Sequence, residues 1–536
     1  MRVLFFGRRF GYFRNFDSVL RELASRGHVI HLAVERETEE GRALVEALAS
    51  EYPSITYGVA PARRQDDSTW AATRLRHGLE YLRYQHQLFD DTPKLRDRSR
   101  ERTPGLFVSL GDGVRRYARW TMRPIEATLR WLERSTPDDP AIRAYVEEQR
   151  PDVVLITPLI ALGSSQIDYL RAARSLRIPT ALCVWSWDHL SSKALIREYP
   201  DRVFVWNDTQ KGEATDLHRV PADQIVVTGA QCFDKWFGRT PSRDRRTFFG
   251  QVGLRADRPV ILYVCSAPFI GSPPEAPFVL EWVRQIRSHR SPRLREAPIL
   301  VRPHPSRRAE WEGLDLTPFA DLAVWGGDPG GDARADYFDT LFHSSIVAGL
   351  NTSAFIEAGI LGRPVYTILL PEWYESQMGT VHFRYLFEAG GGLLTSAASF
   401  DEHLRHLDDA VAHPTAEVKP FVRAFVRPRG LDVAATPIFV DHVEQMRGLT
   451  VRPLSPPSLQ GLARWILNKG LEWRHEETHE HLLYSERELE TIVRMRASRQ
   501  AKAAKERERK RAAKELRRQT QQLELEHHRA KKAGSR

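Results

Sequence analysis

Residues 336–370 read DYFDTLFHSSIVAGLNTSAFIEAGILGRPVYTILL. The apolar run at 345–349 predicts a buried strand, and Asn351-Thr352-Ser353 a tight turn. A helix is predicted over 354–361 and, after Gly362 and Pro364, a second buried strand over 365–370. The turn sets small hydroxyl side chains and backbone amides at a helix start, where the partial positive charge of the helix dipole suits a phosphate. Glu357 lies one turn further on. A carboxylate there does not bind phosphate, but it accepts hydrogen bonds from a pair of sugar hydroxyls. An ordinary strand-turn-helix-strand unit with Thr352 or Ser353 as N-cap fits these residues equally well.

The same kind of unit recurs on both sides of this stretch. RVLFFG (2–7), a helix over 16–26 closed by Gly27, and VIHLAVE (29–35) form a βαβ unit. Further strands are read at 55–60, 151–159, 180–187, 202–207 and 224–230. Apolar runs without polar alternation imply a parallel sheet with both faces covered. A second set opens with RPVILYVCSA (258–267) and continues through 297–305, 322–327 and the opening stretch. The expectation is therefore α/β: two Rossmann-like domains facing a cleft, at 1–235 and 258–450, joined by a linker at 236–257. Residues 62–148 are Arg-rich with aromatics at helical spacing and read as a helical insertion, with a loop near 90–105. A helix is also expected near 191–198.

Residues 451–536 read as an extended linker, an amphipathic helix and a basic helical tail. VRPLSPPS (451–458) is the linker. In 459–473 an apolar stripe of Leu459, Leu462, Trp465, Ile466 and Trp473 is expected to pack on the protein's own surface, with a membrane-surface helix as the minority reading. The chain has 536 residues and a net charge of +10. From 486 onward there are 17 Lys/Arg against 8 Asp/Glu, so about +9 sits in the tail and the rest is near neutral. The fold itself therefore gives no hint of nucleic acid, and the basic tail admits an anionic membrane surface as partner. Cys183, Cys232 and Cys265 lie in or beside apolar runs without metal or CxxC spacing, as reduced core residues of a cytoplasmic protein would. No run reaches the roughly 18 apolar residues of a membrane span.

Several strand ends carry chemistry. In VRPHP (301–305), Arg302 can neutralise phosphate and His304 can donate to a phosphate oxygen or leaving group; a rigid turn is the alternative. Ser266, with Gly271 close behind it, follows the first strand of the second domain, at a position that often faces a nucleotide in open α/β sheets; a plain strand-ending loop fits equally well. In the first domain, WSWDHLSSK (185–193) offers Asp188 and His189 as general-base candidates and Trp187 as a stacking surface for a sugar; Asp188 as a plain helix cap is the alternative. Arg8, Arg9 and Tyr12 follow the first strand and suit an anionic or sugar acceptor, or are simply solvated. The segment GRRFGY is not GxGxxG, which argues against a dinucleotide site. Gln377, Thr380 and His382 can line the same crevice. The Asp-Asp pairs at 66–67, 90–91, 138–139 and 408–409 fall in loops or helices, so no catalytic metal and no cofactor are expected.

This organisation resembles the GT-B glycosyltransferase superfamily over about residues 1–447. VRPHP and NTSAFIEAGILGRPV resemble the donor-binding halves of bacterial surface-polysaccharide transferases, including CDP-glycerol glycerophosphotransferase-like and capsule-synthesis-like groups. Non-hydrolysing UDP-N-acetylglucosamine 2-epimerases share the scaffold. The resemblance implies that His304 is the His of the HP motif, that Asn351, Thr352 and Ser353 hold the donor diphosphate, and that Glu357 is the ribose- or sugar-binding acid. The first-strand loop lacks the His that serves as base in some inverting members. The implied activity is metal-independent transfer of a sugar from a nucleotide-sugar donor to a glycan or lipid-linked acceptor in surface glycan synthesis. A 2-epimerase-like enzyme and a non-catalytic scaffold with a membrane- or nucleic-acid-binding tail stay open as alternatives.

Overall fold

The computed structural model describes residues 1–269, 272–328, 330–413, 418–451 and 457–533. The proline-rich part of the 451–458 linker reading lies outside the described residues.

The first sheet has seven strands in the order β3-β2-β1-β4-β5-β6-β7, all parallel: β1 Arg2–Gly7, β2 Val29–Val34, β3 Ile55–Val59, β4 Val153–Thr157, β5 Thr180–Cys183, β6 Arg202–Val205 and β7 Ile225–Val227. The second has six parallel strands in the order β10-β9-β8-β11-β12-β13: β8 Ile261–Val264, β9 Ile299–Arg302, β10 Leu322–Val324, β11 Ile346–Gly349, β12 Val365–Ile368 and β13 Leu394–Ala397. In each sheet the strand order reverses beside the first strand, which opens a crevice at the carboxyl edge. Helices cover both faces, so the central strands are buried end to end, as Val153–Thr157 shows. The helix Asp17–Ser25 buries Val19, Leu20, Leu23 and Ala24. Gly27, at φ +80°, then lets the chain turn back, and the His28 amide reaches the Leu23 carbonyl.

Five helices stand between β3 and β4: Asp67–Arg83, Pro93–Arg100, Gly105–Tyr117, Met122–Arg134 and Pro140–Gln149. The expected loop at 90–105 thus holds a helix, started by Pro93 at a first-turn position where its missing N–H costs nothing. Three arginines of this insertion, Arg74, Arg76 and Arg83, are buried. Arg76 is 1 % exposed and donates to Glu133 (2.7 Å) and to Asp168 (2.7 Å), which ties the insertion to the first domain. The helix expected near 191–198 shrinks to His189–Ser192. Beyond it, Arg83 and Arg130 take the carbonyls of Lys193, Ala194, Ile196 and Arg197, which would otherwise serve a helix.

Three boundaries differ from the sequence reading. The 236–257 stretch, read as a linker with short helices, does hold a short helix, Arg245–Val252, but it is packed on the second domain: Phe248 and Phe249 are buried in that core, and Asp339 accepts from the Ser242 amide at 2.8 Å. The helix Ala435–Gln445 returns to the first sheet, where Phe439, Val440 and Val443 join its core and Thr436 bonds Ser18 at 2.8 Å. At the helix Gln460–Glu472 only Ala463 is buried, while the apolar stripe expected to pack faces solvent. The tail is one helix, Glu486–Ala533.

Candidate functional site

The carboxyl edges of the two sheets share a cleft of about 600 Å³. From the first domain, the loop after β5 brings Trp185, Trp187, Asp188 and Lys193 to it, and the segment after β1 brings Arg14 and Asn15. From the second come Ser266 after β8, His304 after β9, Asn351, Thr352, Ser353 and Glu357 around β11, and Thr380 with His382. Arg98 of the insertion, Lys235 and Arg334 complete the wall. The cleft thus carries the cations Arg14, Arg98, Lys193, Lys235 and Arg334 against the carboxylates of Asp188 and Glu357. A concave surface with this imbalance concentrates polyanions.

The turn at 351–353 is held by Asn351, whose side-chain amide donates to the Ser376 carbonyl. The Thr352 hydroxyl accepts from the Ala354 amide at 3.3 Å, while the Thr352 and Ser353 amides have no partner among the described residues. The helix that follows, Ala354–Ile360, makes only two turns, so the anion-binding character of this end rests on those free amides and on the cations across the cleft. His304 accepts from the Ser306 amide at Nδ1 (3.2 Å). That bond leaves the proton on Nε2, a donor available to the cleft. Burial, with Arg307 nearby, lowers the His304 pKa and keeps the ring neutral. Ser266 spends its own proton on Glu275 (2.8 Å) and presents lone pairs.

Glu357 is half-buried. Burial pushes its carboxyl up to about 7, against a hydrogen bond from Tyr337 and the charge of Lys235. Asp188 is the opposite case. Burial alone would raise it, but Lys193, His382 and the Ser186 hydroxyl outweigh burial and hold it well below the usual carboxylate range. It accepts from Lys193 Nζ (2.8 Å) and the Ser192 hydroxyl (2.8 Å). It is therefore an anchor and a fixed negative charge, and a poor proton acceptor. His382 meets Trp187 edge to face at 4.6 Å, and its buried Nδ1 has no hydrogen-bond partner among the described residues. Burial, opposed by Asp188, lowers it to about 4, so it is neutral in ordinary buffer.

Six residues expected at the cleft lie elsewhere. His189 is fully buried, with Nε2 donating to the Pro158 carbonyl at 2.9 Å, and it faces the core beneath the loop. Arg302 is paired with Asp336 and Thr340, which turns it away from the cavity. Gln377 is 1 % exposed and donates to the carbonyls of Leu350 (3.1 Å) and Ile368 (3.0 Å), so it splices strand ends. Arg9 pairs with Glu40 at 3.7 Å, Arg8 stands near Glu35, and Tyr12 packs on Trp185 at 5.1 Å without reaching the cavity. Sequence reasoning passed over Lys193, Arg98, Lys235 and Arg334. Lys193 stood inside WSWDHLSSK, but the other three come from segments with no motif, so only the fold brings them together. Gly271, next to the Ser266 loop, lies outside the described residues. Among the described residues no group of three His, Cys, Asp or Glu side chains is arranged to hold a metal.

No protein-family model matches the chain, and no curated protein matches it. Solved structures are similar in shape. A UDP-GlcNAc 2-epimerase from Neisseria meningitidis, bound to UDP-GlcNAc, is 14% identical at a TM-score of 0.47, over 83% of this chain and 100% of that one. HepE from Anabaena in complex with UDP-glucose is 11% identical at 0.46, over 84% and 100%. A glycosyltransferase from Rickettsia africae is 11% identical at 0.48, over 83% and 98%. At these scores the likeness decides nothing further, and the fold is assigned from the strand orders and the shared cleft. The fold is of the GT-B type. Within this GT-B frame the second domain supplies the turn, the imidazole and the carboxyl, and the first domain supplies most of the aromatic wall. Among the described residues no helix is long and apolar enough to cross a membrane.

Proposed function

We propose that the protein is a glycosyltransferase that uses a nucleotide-activated sugar and needs no metal. The observation that carries this reading is the charge of the cleft: five cations, two free amides and a donor imidazole surround a space with only two carboxylates. The donor diphosphate rests on Thr352 and Ser353, with His304 Nε2–H as a further donor. Arg14, Arg98, Lys235 and Arg334 do the work that a metal does in other phosphate sites, while Lys193 stays bonded to Asp188. Glu357 accepts from a hydroxyl pair of the nucleotide-sugar. The acceptor oxygen attacks the anomeric carbon, the bond from that carbon to the diphosphate breaks, and the nucleoside diphosphate leaves. The acceptor's proton passes to neutral His382, and the Asp188 carboxylate stabilises the imidazolium that forms. The acceptor is a glycan or a lipid-linked sugar, and surface glycan synthesis is the setting.

One observation favours a second reading. A carboxyl near 7 and two neutral imidazoles in one cleft also fit proton transfer at a sugar carbon, as a nucleotide-sugar 2-epimerase requires. Titration calorimetry with UDP, CDP, GDP and CMP identifies the nucleotide. Incubation with the matching nucleotide-sugars, followed by mass spectrometry and proton NMR, then separates the readings. Transfer or slow hydrolysis supports the first, interconversion of the donor supports the second, and binding without chemistry leaves a scaffold. Absence of nucleotide binding overturns both enzymatic readings.

A further inference from the structure

The helix Gln460–Glu472 shows an apolar face that nothing among the described residues covers. Leu459 is 72 % exposed, Leu462 48 %, Trp465 58 %, Ile466 38 % and Trp473 47 %. Leu462, Trp465, Ile466 and Trp473 fall at helical spacing on one side. The adjoining side explains why the helix stays in place. Ala463 is fully buried, and with Leu467 it joins a hydrophobic cluster that includes Leu75, Leu79, Leu129 and Leu195. The Trp131 indole donates to the Ser458 carbonyl at 2.7 Å, and Arg474 pairs with Asp67 at 2.6 Å. The helix is thus clamped by its small-residue side with its large apolar side outward. A contiguous apolar patch on a soluble surface marks an interaction site.

The charge beside it identifies the partner. Arg464 and Lys469 are exposed on this helix, and Lys469 lies in line with the stripe, where it pairs with Glu472, the single acid of the helix. The basic tail helix leaves from the same module: Arg487 bonds Glu101 at 3.0 Å, Glu488 takes Arg74 at 2.9 Å, and Arg496 bonds Glu480 at 3.1 Å. From residue 486 on, basic residues outnumber acidic by 17 to 8. Two tryptophans and branched side chains on one side, with cations around them, match the interface of an anionic bilayer, where indoles settle at headgroup level and lysine and arginine meet lipid phosphate.

We propose that this face, together with the tail helix, docks the protein on an anionic lipid surface. Leu195, which shares a hydrophobic cluster with Ala463 of the docking helix, is two residues from Lys193 of the cleft. The cleft wall is thereby held close to the bilayer, where a lipid-linked acceptor would be presented; this last point alone rests on the transferase reading.

The test uses the full chain and vesicles of phosphatidylcholine, either alone or with about one third phosphatidylglycerol. Co-sedimentation is expected with the anionic vesicles only. It should weaken at least about tenfold between roughly 0.1 and 0.5 M salt, with a blue shift of tryptophan emission at low salt. The double variant Leu462→Ser/Trp465→Ser should lose about tenfold or more in partition with an unchanged melting temperature, since both side chains are exposed. Equal binding to neutral vesicles, binding unaffected by the double variant, or no binding overturns the proposal. So does a concentration-dependent dimer that the double variant abolishes without any lipid binding. Sedimentation needs no catalysis, so a failed transferase assay leaves this result standing, and the reverse also holds.

Discussion

The hydroxyl of Tyr337 donates to Oε2 of Glu357 at 2.5 Å, a bond between the helix Ala333–His343 and the helix that follows the 351–353 turn. It fixes one carboxylate oxygen and leaves Oε1 for the cleft. Because burial holds this carboxyl near 7, its charge changes across the neutral range. Sugar hydroxyls donate best to the ionised form. Nucleotide affinity should therefore fall as pH drops from about 8 to 6, with an inflection near 7. Calorimetry across that range checks it, and a flat profile would remove Glu357 from the binding surface.

The same residue sets a stability test. A folded-state value raised above the ordinary 4.5 means that the native protein holds this proton more tightly than the unfolded chain. The protonated form is carried at no cost below about 4.5. The charged form weighs against folding increasingly as pH rises toward 7, and fully above it. Glu357→Gln keeps an acceptor for Tyr337 and cannot ionise. Relative to the parent, its melting temperature should rise between pH 5 and 8 while nucleotide binding weakens. A variant less stable than the parent at pH 8 contradicts the argument.

Asp188 is engaged by Lys193, Ser192 and Ser186, which fits an anchor better than a base. Asp188→Asn keeps the shape and removes the charge beside His382. Transfer should slow by about a hundredfold, because the imidazolium loses its counter-charge. Affinity for a nucleoside diphosphate should hold or improve, because Lys193 is released toward the phosphates. An unchanged turnover number would exclude Asp188 from the proton path.

The paired sheets were legible in the chain because buried parallel strands leave unbroken apolar runs, as RVLFFG and SSIVAG do. The turn at 351–353 and His304 were legible for the same reason: each sits where such a run stops. His189 was misread because its neighbour Asp188 does reach the cleft, and a loop of alternating direction hides which side chain turns inward. Arg302 was misread because its partner Asp336 lies a helix away, beyond any local pattern. The stretch 236–257 looked like a linker for its glycines and arginines, yet two adjacent phenylalanines, Phe248 and Phe249, anchor it. The return of 435–445 to the first domain leaves no local sign at all, since its apolar face would suit either core.

Arg76 binds Glu133 and Asp168 with all three groups enclosed. Removing the cation strands two buried carboxylates. Arg76→Leu should cost about 3 kcal/mol, the lower end of the range for broken buried pairs, because Arg197 and Arg63 still stand near them. Burial opposes the ionisation of both acids, but the neighbouring arginines hold their values below normal. The stabilisation is therefore present above the ordinary carboxylate range and lost as pH falls through the depressed values. Urea unfolding should show the gap between parent and variant at pH 7 and a narrower one at pH 4. A constant gap would mean that packing, and not charge, is what Arg76 supplies.

Gly349 closes β11 one residue before the approach to the donor turn. A methyl group placed there would stand 2.6 Å from the Val264 carbonyl oxygen and 3.1 Å from the Phe355 ring. The carbonyl belongs to the neighbouring strand β8, in register with Gly349, so neither partner can swing aside. Gly349→Ala must part the strands or push the turn outward, at a cost of about 1–3 kcal/mol. Since Thr352 and Ser353 follow three and four residues on, nucleotide binding should weaken as well. Gly362 provides the contrast. Its φ of +71° makes alanine strained there, but no atom of the described residues lies within 4 Å of the added methyl. Gly362→Ala should therefore cost about 1 kcal/mol and leave nucleotide affinity alone. If the two variants lose affinity equally, the amides at 352 and 353 are not what grips the diphosphate, and the site must be sought elsewhere along the cleft.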